Sequence, residues 1–284
     1  MSAIEDDIEF LGSVSRSRPA AGDDVGMRVA AAILRVVQQG WNGNHSRYPT
    51  AGLKLHRGRI ATGGAPFGHV KDLWYPPAAF VGTGRAQLSG EPLFYCGAGS
   101  ATAILELRPR QGDVICVMEC EVAKDPLITK MIMGETLYDQ LDISEEAKRF
   151  ERFIATEFRR VPTGPRDYLV SGGIGSLFFK FTPLDAILYG SMGSALKGAN
   201  FALRPEIADQ YVKPLGFRAY EVVRAGAPAD YVVRCLHAGT AGDGDRLDWR
   251  PVTACPGHEV IRAFDRPTIV PQPPRGDQGR AISD

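Results

Sequence analysis

An arginine, an aromatic strand and a lone glutamate follow one another in Gly84-Arg85, Leu93-Phe94-Tyr95 and Ala101-Thr102-Ala103-Ile104-Leu105-Glu106. A guanidinium grips a phosphate through paired, charge-assisted hydrogen bonds. An aromatic ring offers a stacking face, and a carboxylate stabilises positive charge that grows in a dry site. Together they are what a protein needs to hold a dinucleotide and break its glycosidic bond, a step with oxocarbenium character. Taken singly each has a plainer reading: Arg85 on the surface, Tyr95 in the core, Glu106 on the wet side of a helix.

Other constellations are weaker. Ser171-Gly172-Gly173-Ile174-Gly175-Ser176 has the glycines of a phosphate cradle. It lacks the lysine of a P-loop and the strand-then-GxGxxG arrangement, so it reads as a structural turn. The histidines (His45, His56, His69, His237 and His258) are dispersed with no HExxH-like pair, so no metal is expected. No GxSxG elbow supports a serine hydrolase. His56, beside Arg57, fits a pocket wall or a half-buried strand position equally well.

These residues need elements to hold them. From Asp24 to Gln39 the apolar Val25, Val29, Ile33, Val36 and Val37 recur at helical spacing before Gly40, which predicts an amphipathic helix. Leu53 to Ile60 reads as a strand carrying His56 and Arg57. Residues 61–83, rich in glycine and proline, read as a long loop. Pro92 to Cys96 is a predicted strand, and Ser100 or Thr102 caps a short helix that Pro109 stops. Asp113 to Val122 is another strand. Ser144-Glu145-Glu146 opens a second helix, and its acidic first turn and closing Arg159-Arg160 match the helix dipole. Leu177 to Phe181 and Ala186 to Tyr189 are apolar segments; Tyr220 to Val223 and Tyr231 to Cys235 suggest later strands. Elements mix without a βαβ rhythm, which predicts the α+β class.

The chain has 284 residues, enough for a sizeable core. Its 33 basic and 33 acidic residues give a formal net charge of +0, so neither nucleic acid nor a membrane surface is an expected partner. The acidic start Met-Ser-Ala-Ile-Glu-Asp-Asp does not resemble a signal peptide. The five cysteines (Cys96, Cys116, Cys120, Cys235 and Cys255) show no CxxC spacing, which suits reduced thiols in a cytoplasmic protein. Residues 1–22 are predicted to be flexible and residues 266–284 to be a disordered tail.

Several short motifs, in order, resemble the RES domain, a family named for an arginine, a glutamate and a serine. They are Leu55-His56-Arg57, Leu73-Trp74-Tyr75-Pro76-Pro77, Gly84-Arg85-Ala86-Gln87, Gly90-Glu91-Pro92-Leu93-Phe94-Tyr95 and Ala101 to Glu106. Asp185-Ala186-Ile187-Leu188-Tyr189-Gly190-Ser191 and Gly198-Ala199-Asn200-Phe201-Ala202-Leu203 complete the set. The resemblance spans about residues 53 to 204, within a single domain expected over 23–265. Gln87 stands where many members carry asparagine.

The resemblance implies an ADP-ribosyltransferase-like core of mixed β-sheets with flanking helices. It also implies an NAD-depleting activity, with NAD as substrate and no metal. Glu106, Arg85 and Ser191 would be the catalytic residues. Arg57 and Arg85 would hold the pyrophosphate, Tyr95 would stack on nicotinamide, and Ser191 would bind the carboxamide or a ribose. The acceptor stays open between water, phosphate and a macromolecular side chain, and a silent nucleotide-binding or interaction module remains the contrasting class. Because the family's best-known members are toxins, a helix-turn-helix antitoxin is the implied protein partner.

Overall fold

Apolar residues in short extended runs build eleven strands among the described residues, and these join in one mixed sheet. The computed structural model describes residues 3–17, 23–40, 45–132, 138–139, 142–162, 164–191, 198–226, 230–252 and 259–262. The strands are β1 (Ser46–Tyr48), β2 (Lys54–Ala61), β3 (Phe94–Gly97), β4 (Val114–Val122), β5 (Leu127–Ile132) and β6 (Ala186–Gly190). They continue with β7 (Ala199–Leu203), β8 (Val212–Gly226), β9 (Asp230–Ala241), β10 (Leu247–Pro251) and β11 (Glu259–Arg262). Their order is β1-β5-β6-β7-β3-β2-β4-β8-β9-β10, with β11 also on β9. Only β5 and β6 run parallel; the other pairs are antiparallel.

The helices among the described residues are α1 (Ala3–Ser17), α2 (Asp23–Gly40), α3 (Ser100–Leu107), α4 (Glu145–Arg159), α5 (Leu169–Phe181) and α6 (Pro205–Tyr211). The class is α+β. None of these helices is long and apolar enough to cross a membrane.

The two faces of the sheet hold different cores. Leu11, Val29, Ile33, Phe150, Ile154, Ile174 and Phe178 from α1, α2, α4 and α5 pack with Ile187 and Tyr189 of β6 and Ala202 of β7. Lys130 of β5 and Glu151 of α4, both fully buried, pair within this layer. The opposite face curls enough for Tyr48 of β1 and Leu247 of β10, at the two ends of the strand order, to share one apolar cluster with Phe94 and Phe201. α3 covers a third cluster through Ile104 and Leu105, against Ile115, Tyr220 and Val233.

Several sequence expectations need correction. The stretch predicted to be flexible contains α1, because Leu11 and Val14 fall on one helical face and are buried. The glycine-rich run is no turn: it lies inside α5, with Ser171 to Ser176 all buried. α3 is entered from Gly99 with no side-chain cap, rather than through Ser100 or Thr102, and it closes at Arg108 in the left-handed region just before Pro109. By contrast Ser144 does cap α4, accepting from the Ala147 amide at 3.2 Å. Strands β1, β5, β7, β10 and β11 escaped the sequence reading. Residues 266–284 and Cys255 lie outside the described residues.

Candidate functional site

Tyr95, Asn200 and Tyr189 share the helix-bearing face of the sheet. Register sets this: Gly97 of β3 pairs with Asn200 of β7, and Asn200 pairs with Tyr189 of β6. One row along, Tyr95 pairs with Ala202 and Ala202 with Ile187, so the period of two keeps all of them on that side. α3 follows β3 directly and lies close on the sheet. A Cβ on Gly97 would stand 3.0 Å from the Ala103 amide nitrogen and from the Thr102 side chain, so glycine lets the helix settle close there.

That closeness brings Glu106, in the last turn of α3, onto two donors. Ser191 Oγ donates to Glu106 Oε1 at 2.5 Å, and Asn200 Nδ2 donates to the same oxygen at 2.9 Å. Ser191 and Asn200 are buried and Glu106 is half-buried. The Ser191 amide donates to the Gly198 carbonyl at 2.9 Å.

Arg85 enters from the loop before β3 and is 7% exposed. Its Nη1 donates to the carbonyls of Phe158 at 2.5 Å and Arg160 at 3.1 Å, at the C-terminal end of α4. Helix-end carbonyls lack intrahelical partners and carry the negative pole of the helix, so a cation belongs there. The guanidinium also stands 5.3 Å from the centre of the Tyr168 ring. The Tyr95 hydroxyl accepts from the Ala86 amide at 3.1 Å and donates to the side-chain oxygen of Gln87, which ties the Arg85 loop to β3. Burial raises the Tyr95 phenol far above its usual range and keeps it protonated. Burial does the same to Tyr189. The Glu106 carboxylate pushes its phenol further up and Arg85 opposes it.

The glycines of α5 serve this loop. A Cβ on Gly175 would lie 2.4 Å from the Ala86 carbonyl oxygen, and one on Gly172 would lie 2.6 Å from that of Gly84. The run that lacks the lysine of a phosphate cradle thus seats the arginine loop instead.

Arg57 is not part of this assembly. Along β2 it alternates with His56 and Gly58 and faces the opposite side, stacked 5.0 Å from the Phe94 ring centre. Nε donates to the Leu73 carbonyl at 2.5 Å, Nη1 to Tyr95 at 2.7 Å and Nη2 to Trp74 at 3.0 Å. Burial first, then the charge of Arg59, lowers its pKa to about 10, which leaves it cationic at neutral pH. The expected pairing of Arg57 with Arg85 is therefore corrected: Tyr95 is tied to the Arg85 loop, Glu106 is held by Ser191 and Asn200, and Arg57 lies on the other face as a clamp on the 73–74 loop. Arg57→Met should cost about 3 kcal/mol in urea unfolding, because buried carbonyls lose a charged donor. Unchanged stability would contradict the clamp.

His56 lines a groove with Ser100, Glu119, Arg218 and Tyr220, beside the first turn of α3 rather than its last. Burial lowers the His56 pKa, Lys54 and Arg218 add to this, and Glu119 opposes it. A depressed histidine favours the neutral folded form, so its contribution is full above pH 6.5 and is lost as pH falls below it. The melting temperature should fall between pH 7 and 5, and His56→Gln should flatten that fall; an unchanged slope would contradict it.

Sequence reading missed Asn200 and Gln87 as site residues. Asn200 had a signal, a lone amide within the apolar run Ala199-Asn200-Phe201-Ala202-Leu203, where a buried polar group needs a partner. Gln87 had none. Among the described residues no three His, Cys, Asp or Glu side chains gather to hold a metal ion. No known family model matches this chain, and no curated protein matches it.

Proposed function

We propose that this chain is an NAD-consuming enzyme of the RES type, with an ADP-ribosyltransferase-like core, that cleaves the nicotinamide–ribose bond. One observation carries the reading. Side chains from residues 106, 191 and 200 meet at a single carboxylate, on the sheet face that also holds Tyr95, whose hydroxyl is tied to the loop of the buried Arg85. A silent module has no need to bury this many polar groups around one acid.

In the reaction the bond between ribose C1′ and the pyridinium nitrogen breaks, and its electron pair goes to nicotinamide, which leaves neutral. The ribose becomes oxocarbenium-like, and Glu106 stabilises it across a short distance. Water or phosphate then attacks C1′; with water, the proton released passes to Glu106 or to solvent. Arg85 uses Nη1 on α4, and its Nε and Nη2 have no hydrogen-bond partner among the described residues, so that edge is offered to the pyrophosphate. Tyr95 presents its ring to nicotinamide. Ser191 acts through Glu106. No metal is required.

Incubation with NAD, followed by mass spectrometry, tests this. Free nicotinamide with ADP-ribose marks a glycohydrolase, and ADP-ribose 1-phosphate in phosphate buffer marks a phosphorylase. Nicotinamide released only with a protein acceptor, and label transferred to it, would replace this reading by an ADP-ribosyltransferase. Intact NAD after prolonged incubation would overturn it. The toxin role, the cytoplasmic setting and a helix-turn-helix antitoxin rest on the family resemblance, and slowed growth on expression tests them.

A further inference from the structure

We propose that Asn200 is a positioning residue for Glu106, whose side-chain amide fixes the carboxylate on the helix-bearing face of the sheet. This rests on the reading of Glu106 as the acid at the reacting centre. Asn200 is 6% exposed, and its neighbours along β7 are all apolar. An amide buried there is a cost to the fold unless its hydrogen-bonding groups are used. Its NH2 only donates, so the oxygen held against it at 2.9 Å is an acceptor. The reversed amide would set oxygen against oxygen.

The rest of the row supports the same role. Asn200 stands in register between Gly97 and Tyr189, and α3 rests on Gly97. Bare glycine on one side brings the helix down, and the amide beside it receives the acid that the helix carries. Ser191 approaches the same oxygen from the end of β6. Two donors from two strands leave the carboxylate little freedom to rotate, and a nearly attacking geometry depends on such restraint.

The full chain carries the test. Asn200→Asp keeps the shape but puts a second carboxylate against Oε1. It should lower the melting temperature by about 4 °C. Glu106→Gln added to it should restore most of that, because the glutamine amide can donate to the new aspartate. With NAD as substrate, Asn200→Ala should lower kcat about 10-fold and Asn200→Asp about 100-fold, with KM held within about 3-fold. A merely structural asparagine would give the reverse order, since aspartate fills the space and alanine leaves a hole. Additive melting shifts, or an aspartate chain as active as the alanine chain, would overturn the proposal. Where the aspartate chain does not fold, Asn200→Ala decides alone, and a loss confined to KM overturns it. Melting coupling in a chain whose wild type leaves NAD intact would uphold the pairing and overturn the NAD reading instead.

Discussion

Glu106→Gln is expected to lower kcat for nicotinamide release about 1,000-fold while leaving the fold in place. The glutamine is nearly isosteric, and its carbonyl oxygen can still accept from Ser191 Oγ and Asn200 Nδ2, which meet Glu106 Oε1 at 2.5 and 2.9 Å. What it removes is the negative charge facing the developing cation. KM should change little, since the charge matters most in the transition state. Nicotinamide quantified by mass spectrometry, beside a melting curve, checks both halves. Activity within about 10-fold of wild type would show that this carboxylate does not stabilise the reacting ribose.

Gly175→Ala is the second large effect expected, and it acts from outside the site. Alanine would raise helix propensity by about 1 kcal/mol, yet its Cβ would lie 2.4 Å from the Ala86 carbonyl and 2.6 Å from its Cα. Backbone on both sides must move. Overpacking of this kind costs up to about 3 kcal/mol, so a net loss of about 2 kcal/mol is expected in urea unfolding. The loop that moves carries Arg85, and misplacing a binding group by an ångström can cost about 100-fold in kcat/KM. Gly173→Ala is the control: its Cβ would meet only the Ile33 Cδ1 at 2.7 Å, the end of a flexible side chain. Equal behaviour of the two variants would refute a specific seat for the arginine loop.

What could be read beforehand followed periodicity. α2 and α4 announced themselves through apolar spacing and, for α4, through Ser144 and the charged ends. The segments leading to β2, β3, β4 and β6 were legible as apolar runs. What failed depended on distant partners. Nothing local says that Arg57 faces away from Glu106, because alternation along β2 gives two sides without saying which one α3 will cover. The α5 glycines look like a turn until the 84–87 loop is placed against them. Arg85, Tyr95, Glu106 and Ser191 were nameable one by one; Asn200 stood out as a lone amide in an apolar run, but its partner Glu106 became visible only when β3 and β7 paired.

That pairing bears on timing. The two donors to Glu106 lie 85 and 94 residues further along the chain. β3 is only four residues long and sits between β2 and β7, so it gains its second neighbour late in synthesis. Contacts this distant in sequence close slowly, after local helices have formed. A growing chain on the ribosome therefore carries its acid and its arginine unassembled until β7 has emerged. Under the proposed NAD-consuming function, the chain would thus be inert throughout most of its own translation.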